Sequence, residues 1–101
     1  MPLVITGTGA AEGYQQGVKL WGWLRFLPFS YDPANPQRVF IQFRAKGSTE
    51  FFTLGDGIPV TNALGFYEVA KGVTGPGTVR AVWIEPNSQA PVYSREVEFS
   101  G

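Results

Sequence analysis

The sequence predicts an all-β domain, a sandwich or a barrel, on three observations. Thirteen glycines and eight prolines punctuate the chain at short intervals. Runs rich in Val, Ile, Phe, Tyr and Trp lie between them, and no window of useful length carries the 3.6-residue apolar period of a helix. Turn signals return about every ten residues, the spacing of short strands in such folds. At 101 residues, positions 1–101 read as one domain with a single core.

Seven strands are expected, at 2–6, 17–27, 38–46, 50–54, 65–71, 77–84 and 92–99. A glycine-rich crossover, within "LVITGTGAAEG" at 3–13, joins the first two. "PFSYDPANPQ" at 28–37 holds three prolines and reads as a loop. "GDGIP" at 55–59 offers an Asp-Gly pair, and "GVTGPGT" at 72–78 a Gly-Pro connection. Successive side chains of a strand point to opposite sides, which assigns faces. Val18, Leu20, Gly22, Leu24 and Phe26 share one side, and Lys19, Trp21, Trp23, Arg25 and Leu27 the other. The charged pair marks the solvent side, so both tryptophans face out. By the same rule Val39, Ile41 and Phe43 face in, with Phe40, Gln42 and Arg44 outside. Val79, Ala81 and Trp83 face in, with Arg80, Val82 and Ile84 outside. Val97 and Phe99 read inward, Glu96 and Glu98 outward. Gly22 leaves a gap on the inner face, which an inward Trp83 from the facing sheet would fill. The alternative is a β-bulge at Gly22, which would flip the downstream faces and bury Trp23.

Five stretches, in order, resemble the bacterial Ig-like domains, related in architecture to fibronectin type III modules. "VKLWGWL" stands where the family shows a Leu-x-Gly-x-Leu strand, and "QRVFIQFRAKG" where it shows Val-x-Ile-x-x-Arg. "VTNALGFYEV" is similar to its Thr-Asp-x-x-Gly-x-Tyr turn and strand, "GPGTVRAVW" to its Gly-Thr-Tyr-Arg-Ala strand, and "YSREVEF" to its closing strand. The likeness spans roughly residues 14 to 99. Asn62 replaces the usual Asp, Val79 the usual Tyr, and the loops at 28–37 and 55–60 are long. The resemblance implies an Ig-like antiparallel β-sandwich of about seven strands, with no catalytic residues to carry over. It also implies a role as a spacer or accessory module of secreted enzymes and adhesins, or as an add-on domain of phage capsid and tail proteins.

Composition excludes several chemistries. There is no cysteine, hence no disulfide and no thiolate metal site, and no histidine to act as a general base or metal ligand. Eight basic and eight acidic residues cancel and are scattered, which argues against nucleic acid or an anionic membrane as partner. No stretch approaches the ~18 apolar residues of a membrane span. "LVITGTGAAEG" resembles the start of a dinucleotide-binding unit, but its glycines are out of register and no helix follows. The carboxylates fall in turns or on outward positions, Asp56 reads as the Asp of an Asp-Gly turn, and no calcium loop appears. The reading is of a non-enzyme with no catalytic residue, no metal and no cofactor.

What remains is surface. Aromatics are 15% of the chain and charged residues only 16%, against roughly 25% in an average soluble domain. Part of the surface is expected to be buried against something; the alternative is an aromatic-rich core under a polar, uncharged surface. Trp21 and Trp23 lie roughly 6.6 Å apart along their strand. With Lys19 and Arg25 they form the first candidate site, an interface for a protein partner or a platform for stacking sugar rings. The alternative is that the rings lie flat on their own sheet under a neighbouring segment. Phe40, Val82 and Ile84 form a second candidate interface. The leading expectation is a structural, decoration-type protein of a virion, docked on a capsid or tail by apolar faces. The others are an excised accessory or spacer module of a secreted enzyme or adhesin, and a carbohydrate-binding module using Trp21 and Trp23. Met1 and the absence of a signal peptide read as a complete small frame, placing the protein on a virion surface. An excised domain would be extracellular. An oligomer is compatible with either.

Overall fold

The computed structural model describes residues 1–24 and 31–100. Nine strands run through these described residues: β1 (Leu3–Thr8), β2 (Gln16–Trp23), β3 (Arg38–Ala45), β4 (Phe52–Thr53), β5 (Ile58–Pro59), β6 (Phe66–Val73), β7 (Gly77–Ile84), β8 (Pro91–Tyr93) and β9 (Val97–Phe99). All pairs are antiparallel. One sheet has the order β1-β2-β6. The other runs β4-β3-β7-β8, with β5 also on β3 and β9 also on β7. The all-β class and two-sheet architecture are those of a β-sandwich. The core lies where both inner faces meet: Leu3, Val18, Leu20 and Tyr67 against Val39, Ile41, Phe43, Val79, Ala81, Trp83 and Phe99. The alternation on β2, β3 and β7 thus selects the core residues of these strands correctly, although Val82, expected outside, is buried as well.

The departures from seven strands have local causes. The expected crossover after β1 is a hairpin instead, since β1 pairs directly with β2. Its tip is a two-residue turn with left-handed Glu12 (φ 52°) and Gly13 (φ 84°), closed by reciprocal bonds between Ala11 and Tyr14. That conformation matches the twist of a hairpin. Between β4 and β5 the left-handed residue is Gly55 (φ 64°), not Asp56, and Ile58–Pro59 then pairs with Arg38–Val39. The last predicted strand is split. Val82 faces Tyr93 but Val79 faces Val97, a register moved by one residue. Ser94 sits at the break. Its N–H donates to Ala81 C=O (2.9 Å), and its Oγ accepts from Ala81 N–H (2.8 Å) and donates to Arg95 C=O (2.8 Å). The hydroxyl stands in for the missing ladder carbonyl.

Gly22 is an inward socket, but the expected occupant is wrong. Pairing of β2 with β6 is continuous through Trp21–Glu68, Gly22–Tyr67 and Trp23–Phe66, so no bulge interrupts the strand. A methyl group added at Gly22 would overlap the Cζ and hydroxyl of Tyr67. The socket is therefore filled from the adjacent strand of the same sheet. Trp83, on the facing sheet, is buried elsewhere in the core, and its Nε1 donates to Gln37 Oε1 (3.1 Å).

Candidate functional site

The outer face of the three-stranded sheet is organised in rows by the register. Val4, Trp21 and Glu68 form one row, Trp23 and Phe66 the next, and Lys19 and Ala70 the one on the other side. Both tryptophans occupy the outer face, as alternation requires, and both are half-buried. Arg25, the fourth residue of the expected site, lies outside the described residues, as do Phe26 and Leu27.

Both indoles pack against Phe66, which the sequence reading did not include. Its ring stacks on Trp23 (centroids 4.8 Å apart, planes at 22°) and tilts against Trp21 (5.4 Å, 33°). Such pairs contribute about 0.5–1.5 kcal/mol each beyond the area they bury. The Trp23 indole N–H donates to the Leu64 carbonyl, fixing the ring at the start of β6. Leu64 itself projects outward and is 69% exposed, and Val4 is exposed on the far side of Trp21. Alternation along "FYEVAKGV" was the available signal for Phe66, since Phe66, Glu68 and Ala70 share a face.

A shallow groove adjoins this cluster. Trp21, Phe66 and Glu68 line one side, with Ile58, Pro59 and Thr61 across from them. Glu68 is exposed, and neither it nor Lys19 has an ion-pair partner among the described residues. Asn62 also borders the groove, but its amide is committed: Nδ2 donates to Phe66 C=O (2.8 Å) and Oδ1 accepts from Phe66 N–H (3.1 Å).

The second expected interface does not form a continuous apolar patch. Val82 points outward but is only 4% exposed, because its neighbours across both ladders are Phe40 and Tyr93. Phe40 is half-buried, its ring packed on Gly57 so closely that a Cβ there would approach to 2.9 Å. Ile84 alone remains exposed. The centre of this face is instead a cation–π stack. The Arg80 guanidinium lies 3.9 Å from the Phe51 ring and 4.1 Å from the Tyr93 ring, and its Nε donates to Gln42 Oε1 (2.9 Å). Arg44 lies over the same Phe51 ring (4.8 Å) and pairs with Glu96 at 3.5 Å.

Several other polar groups are engaged in local contacts. Glu12 accepts from Gly72 N–H (2.8 Å) and pairs with the buried Lys71 at 3.6 Å. The Glu85 carboxylate takes bonds from the Ser88 hydroxyl and the Ser88 and Asn87 N–H groups, which lower its pKa by favouring the charged form. The Tyr67 hydroxyl is buried without a hydrogen-bond partner among the described residues, and desolvation drives its pKa upward. No group of three metal-ligating side chains occurs among the described residues. Comparison with protein-family models, with curated proteins and with solved structures returns no match.

Proposed function

We propose that this is a non-catalytic docking module that binds a protein partner through the outer face of the β1-β2-β6 sheet. The observation that carries the reading is the Trp21–Trp23–Phe66 cluster, continued by exposed Leu64 and Val4. Rings already fixed by mutual stacking lose little freedom on binding, and Trp is enriched at the energetic centres of interfaces. The Ig-like form of the sandwich is supported by strand order. The first, second and sixth strands oppose the third, seventh and last, as A, B and E oppose C, F and G in immunoglobulin-type domains. The low charge content favours a permanently covered setting such as a capsid or tail surface, with an accessory module of a secreted protein as the alternative.

A photo-crosslinking benzoylphenylalanine at Leu64, compared with one at Thr53 on the opposite outer face, tests the reading. A discrete protein adduct from position 64 alone, weakened by Trp21→Ala, is the expected result. Equal adducts from both faces refute it. A second reading, glycan stacking, draws on Glu68 standing beside Trp21, an acceptor next to a ring. Saturable quenching of tryptophan fluorescence by one of a panel of polysaccharides, lost in Trp21→Ala, would favour it over protein docking.

A further inference from the structure

We propose that the free edge of β6 accepts an extended, basic polypeptide segment as a fourth strand of the β1-β2-β6 sheet. The inference deepens the protein-docking reading, on which it rests, by naming the form of the partner.

The edge is free because, among the described residues, β6 pairs only with β2, while β5, the strand just before it in the chain, pairs with β3. Which groups it offers follows from the bonds at its two ends. In an antiparallel pair, alternate residues direct both backbone groups toward the partner strand and then away from it. Both backbone groups of Phe66 are bonded to Asn62, so Phe66 is an outward-directed residue. The N–H of Gly72, which bonds Glu12, is directed outward as well. Glu68 and Ala70 share that parity. Their N–H and C=O groups therefore point away from β2, and they have no partner among the described residues. Asn62 closes one end of the edge and Glu12 the other, leaving a two-residue window that presents two donors and two acceptors.

The window selects its occupant. A second copy of the chain would pair about a two-fold centred on Val69, and this sets Phe66 of one copy opposite Gly72 of the other. The Asn62 cap would then collide with the Glu12 cap, so the identical edge is disfavoured. A single extended segment has no such flanking loops. Across an antiparallel pair, residues opposite one another share a face. The residue opposite Glu68 thus lies on the outer face beside an exposed, unpaired carboxylate, where Lys or Arg is the complement. The small Ala70 leaves room for a long neighbour. The groove between Phe66, Glu68 and Trp21 on one side and Ile58, Pro59 and Thr61 on the other takes an apolar side chain of the same segment. Main-chain bonds supply affinity and the side-chain sites supply specificity, as in strand-addition recognition generally.

The test uses the full chain and three capped heptapeptides: one alternating valine and lysine, one alternating valine and glutamate, and the first N-methylated at its hydrogen-bonding residues. Amide NMR shifts and hydrogen exchange are read at Glu68 and Ala70. The lysine peptide is expected to slow exchange at both amides at least tenfold, the glutamate peptide to bind at least tenfold more weakly, and the N-methylated peptide to give no protection. Ala70→Pro removes one outward N–H without touching the β2–β6 ladder and is expected to abolish binding. Absence of protection by the lysine peptide, or equal binding of the N-methylated one, overturns the proposal. So does concentration-dependent dimerisation that Ala70→Pro abolishes, because the occupant is then a second copy. If the Leu64 crosslink persists in Ala70→Pro while these amides stay unprotected, the aromatic-face reading stands and the edge inference falls. Protection by the peptide with no Leu64 adduct gives the reverse.

Discussion

Replacing Gly22 by Ala puts a sign on the central packing feature. In the interior of a strand, Gly→Ala ordinarily stabilises by roughly 0.5–1 kcal/mol, because glycine loses more backbone freedom on folding. Here the added methyl would fall inside the Tyr67 ring, well under the 3.0 Å that real Cβ contacts respect. Carbon atoms pack comfortably at about 3.5–4.0 Å, so the ring must retreat by more than about an ångström. Tyr67 is 4% exposed and packed in the core cluster. Overpacking of this kind costs about 1–3 kcal/mol, enough to reverse the backbone gain. A displacement this large belongs at the upper end of that range, leaving a net cost of about 1–2.5 kcal/mol, and at ~4–8 °C per kcal/mol for a domain of this size the melting temperature is expected to fall by roughly 4–20 °C. Urea denaturation of Gly22→Ala, Tyr67→Ala and the double variant measures the coupling. The cost of Gly22→Ala should vanish or change sign once the ring is gone, a coupling of at least about 1 kcal/mol. A neutral or stabilising Gly22→Ala in the parent protein, or an equal cost in both backgrounds, would refute the socket.

Three further outcomes are expected. Tyr67→Phe removes a buried hydroxyl that has no partner among the described residues and should stabilise the fold by about 1–3 kcal/mol at neutral pH, read by urea titration. Because burial raises the folded-state pKa of Tyr67 above its usual 10, the hydroxyl ionises first in the unfolded chain. Parent stability is then complete below about pH 10 and falls by up to ~1.4 kcal/mol per pH unit above it, a loss that Tyr67→Phe should not share. Ser94→Ala leaves the Ala81 N–H without its acceptor and should cost about 1–3 kcal/mol, with faster exchange of that amide. Glu12→Ala strips the partner from the buried Lys71 and uncaps Gly72, so the Gly72 amide should exchange faster and stability should fall by about 1–3 kcal/mol.

The inner faces were legible because charges mark the opposite side. Lys19, Arg44 and Arg80 each fix the phase of a strand, and the inward core residues of β2, β3 and β7 follow from them. Register was not legible, and the errors cluster there. Nothing in "KLWGWLRF" says that Gly22 will stand opposite Tyr67, so the socket was visible and its occupant was not. Phe66 was missed for the same reason: its partnership with the tryptophans depends on which β6 residue faces Trp23. The break at Ser94 was hidden because a serine hydroxyl can replace a ladder bond without any glycine or proline to announce it.

The two outer faces show why a low charge content does not by itself locate a docking surface. Each is rich in aromatic residues, and each uses them differently. On the six-stranded sheet, Phe51 and Tyr93 close over the Arg80 guanidinium, and the stack joins β7 to β8 and to the segment leading into β4. Those rings gain by covering a charge of the chain's own, and Val82 is buried in the process. On the three-stranded sheet the rings of Trp21, Trp23 and Phe66 stack on one another, with Leu64 and Val4 exposed beside them. The difference traces to strand number. β8 and the segment before β4 bring covering rings to one face, whereas among the described residues the shorter sheet ends at β6. The incompletely covered face and the free edge are thus two consequences of the same missing strand, and a partner that supplied a strand would cover both.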